Sequence, residues 1–469
     1  MDSSPVPMDN TNVPNLLKVG EIDTNMAMDV SSDVVDPIVC NQSTCRFRLT
    51  NKGFLSSDSR LVVGLKANTN ASLTGNSFMA LNLGCHSLIS RCTLSVGGNT
   101  ISEVDGYNFL KCYESMFLSN EINKDRETIM SGRAIAHEFN YKSTAGAQSN
   151  TEADSYQLDL GVEYDGGGGD VPVHLANANA ATFSIPLSQM FPILKGINLP
   201  LFMFKQEVMI DLVWESQDGT GRCCVNAGST SGLPFDIDTN EVKLVADTIF
   251  YDGAIMNQYA NTHRSQSFAF KDYRLTKTSL SVADAKNSVR NVGGAGRAVT
   301  KIITGICNDN RTDKFILNKY SAVAPARDYT NGDVALRKNG TLTTNIRMND
   351  HFVFPIDLSN SAVLFDKTAR SMGALPFVTR EEYSGEGNIL ASSTIEGHAQ
   401  NASSGILSNF FWQSYKLPAG RVNSRGLELT TQMDSLPALA AGQTYTQRTW
   451  IEIHKMATLE DGYLTAGFA

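Results

Sequence analysis

Apolar residues in this chain recur mostly at intervals of two. In Thr44–Thr50, Phe47 and Leu49 alternate with Arg46 and Arg48, and Arg60–Lys66 is a second such run. Glu207–Trp214 places Val208, Ile210, Leu212 and Trp214 on one face and Met209, Asp211 and Val213 on the other. This period is that of a strand with one face buried. Cys92–Val96 and Thr100–Val104 flank Gly97-Gly98-Asn99, which predicts a tight hairpin. Val242–Tyr251 is a strong strand ending in Asp252-Gly253. Further along, Ser267–Leu275, Ala298–Ile306 and Thr341–Met348 read as strands, and Phe352–Ile356 returns from a turn at Asn349-Asp350. Helical spacing is confined to Tyr107–Leu118 and Ser361–Met372.

The most apolar stretch, FSIPLSQMFPILKGINLPLFMFKQEVMIDLVW (Phe183 to Trp214), carries prolines at 186, 192 and 200. Lys195, Lys205, Gln206, Glu207 and Asp211 leave no run near the roughly 18 apolar residues a membrane helix needs. Interior proline, at a cost of about 3 kcal/mol, excludes one long helix. In pieces the stretch predicts a strand at Phe183–Leu187, a short helical turn capped by Ser188, an extended Ile197–Phe204 and the alternating strand.

Both halves of the chain place a helix directly after a hairpin: TLSVGGNTISEVDGYNFLKCYESM in one, TTNIRMNDHFVFPIDLSNSAVLFDKTARSM in the other. Each half also ends near a strand running into an acidic-glycine turn, LVADTIFYDG and IEIHKMATLEDG. With 469 residues, too many for one core, this repeat of element order predicts an all-β chain of two tandem antiparallel sandwiches. The expected units are 38–255 and 256–469. Residues 1–37 stand apart, with seven acidic residues against Lys18 and prolines at 5, 7, 14 and 37. They read as an acidic N-terminal arm, either a disordered tail or a segment that orders against a neighbouring subunit. The polar, glycine-rich region from Ser143 to about Ala181 reads as a long surface insertion.

Composition narrows the chemistry. The net charge is −9, of which the arm carries −6, and this argues against a general nucleic-acid-binding surface. The eight cysteines, at 40, 45, 85, 92, 112, 223, 224 and 307, include no CxxC pair and read as free thiols; no structural zinc and no obligatory disulfide are expected. No phosphate-binding GxxxxGK[ST] is present, and Gly293–Arg297 lacks its lysine. His137-Glu138 has no second histidine at zincin spacing. Asp236-Ile-Asp238-Thr-Asn240 begins like a calcium loop but has Glu241 at position six and Asp247 at position twelve. Glu381-Glu382 would point to opposite faces of a strand. No catalytic, cofactor-binding or metal-binding residue is therefore assigned, and the chain is not read as an enzyme. The alternative is a β-sandwich carbohydrate-active enzyme or carbohydrate-binding protein. It would need a carboxylate pair in a cleft or a platform of exposed aromatics, and the tryptophans at 214, 412 and 450 form none in the sequence pattern.

The interrupted unit Phe183–Leu187, Met190–Leu194 and Leu199–Trp214, the hairpin Leu94–Val104, and Ile346–Asn349 running into Phe352–Asn360 together resemble the double jelly-roll major capsid proteins of icosahedral double-stranded DNA viruses, closest in look to the polinton-like virus and virophage branch. The resemblance spans about residues 38–469. It implies two eight-stranded jelly rolls with short helices in the connecting loops, and a structural protein of the virion assembled inside the host cell. It further implies a homotrimer of pseudo-hexameric shape that tiles the shell, and contacts with neighbouring capsomers and with penton and minor or cement proteins. No membrane span and no direct sequence-specific nucleic-acid binding are implied.

Overall fold

In a computed structural model the structure describes residues 29–67, 77–79, 83–115, 130–132, 181–195, 197–215, 224–226, 235–280, 288–308, 320, 322, 342–355, 361–373, 412–433 and 445–468. The insertion between Ser143 and Ala180, His137-Glu138 and Glu381-Glu382 lie outside them.

The first part of the chain forms β1 (Asp29–Val35), β2 (Val39–Cys40), β3 (Thr44–Leu49), β4 (Phe54–Leu55), β5 (Arg60–Ala67), β6 (Ser77–Met79), β7 (Ile89–Val96), β8 (Asn99–Asp105), helix α1 (Tyr107–Ser115), β9 (Ala181–Pro186), β10 (Leu199–Pro200), β11 (Val208–Trp214), β12 (Cys224–Asn226), β13 (Phe235–Ile237) and β14 (Lys243–Phe250). Helix α2 (Gly253–Thr262) leads into β15 (Ser265–Leu280), β16 (Ser288–Gly293), β17 (Val299–Asn308), β18 (Leu342–Met348), β19 (His351–Phe352), helix α3 (Ser361–Met372), β20 (Gln413–Lys416), β21 (Leu427–Met433), β22 (Tyr445–Glu460) and β23 (Tyr463–Phe468).

Pairing sorts these strands into one topology used twice. In the second half, ranking β15 to β22 from first to eighth, one sheet runs first–eighth–third–sixth (β15-β22-β17-β20) and the other second–seventh–fourth–fifth (β16-β21-β18-β19). In the first half the same orders appear as β1-β14-β5-β9 and β3-β11-β7-β8. That interleaving of two antiparallel sheets is the jelly roll. The first sandwich adds the short strands β2, β4, β10 and β13 at its sheet margins, and the second adds β23 alongside β22.

The sequence pattern explains the pairing faces. β3 buries Cys45, Phe47 and Leu49 and exposes Thr44, Arg46 and Arg48; β11 buries Val208, Ile210, Leu212 and Trp214. The buried apolar residues of both halves merge into one continuous cluster, so the two sandwiches share a packed boundary. Each fully buried Leu, Ile or Phe contributes about 1.5–3 kcal/mol.

The proline-broken stretch crosses from one sheet to the other. β9 pairs with β5, and β11 sits between β3 and β7. Between them lie helical turns at Leu187–Met190, Pro192–Leu194 and Leu201–Met203. Pro186 and Pro200 end strands and Pro192 opens a turn, positions where the missing N–H is tolerated.

Five places depart from the sequence reading. Asp29–Val35, assigned there to the arm, pairs along its whole length with β14 and is the first strand of the first jelly roll. Ser188 caps nothing: it lies inside the turn Leu187–Met190, which follows directly on Pro186 and has no side-chain cap. The stretch Ile197–Phe204, read as extended, coils into a helical turn at Leu201–Met203 once Pro200 has ended its strand. Asp252-Gly253 is a helix start rather than a simple turn, because Asp252 Oδ1 accepts the Ala254 N–H (2.7 Å) and caps α2. The return strand after Asn349-Asp350 spans only His351–Phe352; the turn itself takes positive φ at both residues, as a two-residue hairpin requires.

Candidate assembly surfaces

The two jelly rolls meet where the fifth strand and following helix of the first, β8 and α1, abut the first and eighth strands of the second, β15 and β22. Gly106 makes the close approach possible. It has φ +66°, and a Cβ there would lie 2.8 Å from Leu275 Cδ2 and 3.0 Å from Trp450 Cζ2. Beside it the Trp450 indole N–H donates to Asp105 O (2.9 Å). The Arg448 guanidinium stacks on the Phe109 ring, 3.6 Å from its centroid, and Tyr113 OH donates to Ser414 Oγ (2.6 Å).

Charges are buried in this boundary. Lys455 Nζ donates to Asp272 Oδ2 (2.6 Å) and to Ile101 O (3.3 Å), while Ser102 Oγ donates to Asp272 Oδ1 (3.2 Å). Burial nevertheless raises the Asp272 carboxyl above its ordinary range, outweighing Lys455. Glu452 receives Lys301 (3.2 Å) and Lys271 (3.0 Å), and with the Thr300 hydroxyl these outweigh its burial and hold its carboxyl low. At Glu114 burial pushes upward, but Lys111 (2.6 Å), Lys195 and Lys301 together pull the carboxyl down to about 2.

The strand ranks used at this junction occur once more on each jelly roll, where among the described residues no strand pairing joins them to the other sandwich. They are β1 with β14 on the first, and β19 with α3 on the second. The described residues that expose large apolar side chains include Val30 (60%) and Val34 (62%) on β1, Phe352 (62%) on β19 and Val363 on α3. Among the described residues β1 pairs only with β14, and no other described strand occupies its second backbone edge.

Nothing among the described residues assembles a metal centre: no group of three His, Cys, Asp or Glu side chains is placed to hold an ion. The calcium-like segment begins in β13 and continues into a turn in which Asp238 Oδ1 accepts the Asn240 N–H (3.2 Å). Gly293–Arg297 links β16 to β17, and Arg297 stacks on Phe468. A shallow cleft of about 500 Å³ lies over the outer face of β3, β7, β8 and β11. Its charges are already paired, Arg46 with Asp211 and Arg91 with Glu103. Trp412 and Trp450 are fully buried and Trp214 almost so, which removes them from any sugar platform. The junction and the matching free edges are what sequence reasoning missed. Their apolar residues are single positions in short strands, and only the strand order reveals that they correspond.

Residues 20–252 match the family model described as the major capsid protein N-terminus. The chain belongs to the double jelly-roll major capsid proteins. At the level of sequence no curated protein matches. Solved capsid structures match at the level of fold. The PBCV-1 virus capsid superimposes with a TM-score of 0.55 at 12% identity, covering 94% of this chain and 97% of that one. The mavirus major capsid protein gives 0.53 at 10% identity, with coverage of 100% and 96%. The Sputnik virophage structure gives 0.52 at 10% identity, with coverage of 100% and 93%. At these identities the likeness is one of fold, shared across the whole length, and it does not single out the virophage branch. As a major capsid protein the chain has its place in the virion shell, and its role is structural.

Proposed function

We propose that this major capsid protein forms a homotrimer of pseudo-hexameric outline, and that such trimers tile an icosahedral shell. One observation carries the reading. The junction inside the chain joins a fifth-strand surface to a first-strand surface, and the same two surfaces remain outward, each with exposed apolar residues. A heterologous contact that repeats by rotation closes into a ring. If β19 and α3 of one subunit meet β1 and β14 of the next as β8 and α1 meet β15 and β22 within the chain, two jelly rolls per subunit give six blades from three chains. Obligate interfaces of this kind usually bury more than about 2,000 Å². Contacts between trimers, and with penton and minor proteins, are then weaker and more polar.

The division of labour follows. The first jelly roll runs to about residue 255 and the second from about 256. The acidic residues preceding β1 serve as an arm toward neighbouring capsomers or an inner protein rather than toward DNA, whose phosphates they repel. Mass measurement of the purified chain at micromolar concentration tests the proposal. A monodisperse trimer is expected, and a folded chain that stays monomeric and never builds shells overturns it.

A further inference from the structure

Cys40 and Cys45 stand directly opposite each other in the β2–β3 hairpin. The turn between them is held from several sides. Asn41 N–H donates to Thr44 O (2.9 Å), and Asn41 Oδ1 accepts the N–H groups of Ser43 and Thr44 (2.8 Å each). Gln42 clasps Ile237 of the opposite sheet, donating to its carbonyl (2.8 Å) and accepting its N–H (3.0 Å). With Asn41 and Thr44 as the hydrogen-bonded pair, the ladder's alternation makes Cys40 and Cys45 a non-hydrogen-bonded pair. The Cα atoms of such pairs lie about 4.5 Å apart, inside the roughly 4.4–6.8 Å that a disulfide spans. Both side chains fall on the same face of the hairpin. Cys45 is buried, but Cys40 is half-buried and gives a reagent access. Both are free thiols, and the other free cysteines among the described residues, Cys85, Cys92, Cys112 and Cys307, are buried and none faces another across a strand pair.

We propose that Cys40 and Cys45 are a modification site that closes reversibly into an intrachain disulfide when a small disulfide oxidant is present. The Cys40 thiolate attacks one sulfur of oxidised glutathione and expels one glutathione thiolate. The Cys45 thiolate then attacks Cys40 Sγ and expels the second. The protein loses two protons and two electrons, the electrons reduce the oxidant, and one S–S bond forms. The bond ties β2, a two-residue edge strand, to β3 where the chain leaves β1 in one sheet and enters the other. The open thiols and the closed bond are both compatible with the fold, so neither state is needed for folding.

The test uses the full chain under native conditions with oxidised glutathione, then thiol alkylation in denaturant and tryptic digestion. No Lys or Arg lies between the two cysteines, so both fall in the peptide Val19–Arg46. The expected result is that this peptide loses two hydrogens and takes up no alkylating agent, that dithiothreitol restores both thiols, and that the oxidised chain melts at a higher temperature than the reduced one. Cys40→Ser, at the half-buried position, should fold, leave Cys45 alkylatable and make the melting temperature insensitive to oxidant. Two alkylated thiols after oxidation, or glutathione retained on Cys40 beside a free Cys45, would overturn the proposal.

Discussion

The first strands of the two jelly rolls hold the same topological rank and have opposite fates. β15 pairs with β22 over sixteen residues and is packed against the first jelly roll. β1 pairs with β14 over seven and presents Val30 and Val34 to solvent. The fifth strands differ in the same sense. β8 is a seven-residue strand against the second jelly roll, whereas β19 has two residues and exposes Phe352. One member of each pair is satisfied within the chain and the other is left open. This asymmetry is what the proposed ring of like subunits requires, since each open surface is then met by its counterpart on a neighbouring copy.

The largest effect should come from breaking the internal member of the comparison. Trp450→Ala removes a fully buried ring, its bond to Asp105 and its contact with Trp412 (5.5 Å between centroids). It should cost about 3–5 kcal/mol, read as a lower denaturant midpoint of the isolated chain. Asp272→Asn leaves Lys455 buried without its counter-charge and should cost about 3–5 kcal/mol; replacing both by apolar residues of similar size should recover most of that loss. A double substitution as damaging as the single one would show that the pair acts through more than its charges.

The external member should respond differently. Val34→Asp on β1, or Phe352→Asp on β19, should leave the melting temperature of the monomeric chain within about the small range expected of surface changes. Either should abolish trimers, read by mass measurement. If both variants trimerise normally, the correspondence between the internal junction and the free edges fails.

Acid tests the junction more gently. Glu114 and Glu452 are held below their ordinary values, so their stabilisation is present above about the unfolded carboxylate value and is lost as pH falls through the folded ones, for Glu114 from 4.5 toward about 2. Asp272 works in the opposite sense, because its raised value favours the protonated fold and adds stability on acidification. Net stability should fall below about pH 4.5, and Glu114→Gln should flatten that fall in a series of melts against pH. The smallest effect is expected at the surface: Arg46→Ala, which loses the exposed pair with Asp211, should change stability by no more than about 1 kcal/mol.

Much of this architecture is written in local chemistry. The alternation in Thr44–Leu49 and Val208–Trp214 sets which faces are buried, because side chains on a strand alternate whatever the partner. The prolines at 186, 192 and 200 mark where strands must end, and the hairpin-plus-helix order in both halves declares the repeat. The sequence by itself therefore determined an all-β chain with two similar sandwiches. Only the tertiary structure decided that Asp29–Val35 is a core-topology strand. Its pattern, DVSSDVV, lacks a clean alternation, and it is held by backbone pairing to β14 more than two hundred residues away. Only the tertiary structure brought Gly106 against Trp450 and Asp272 against Ser102. Contacts between distant strands depend on which edges the sheets leave open, and no local period encodes that. The exposed valines of β1 and the exposed phenylalanine of β19 are unremarkable singly; strand order alone makes them two halves of one kind of surface.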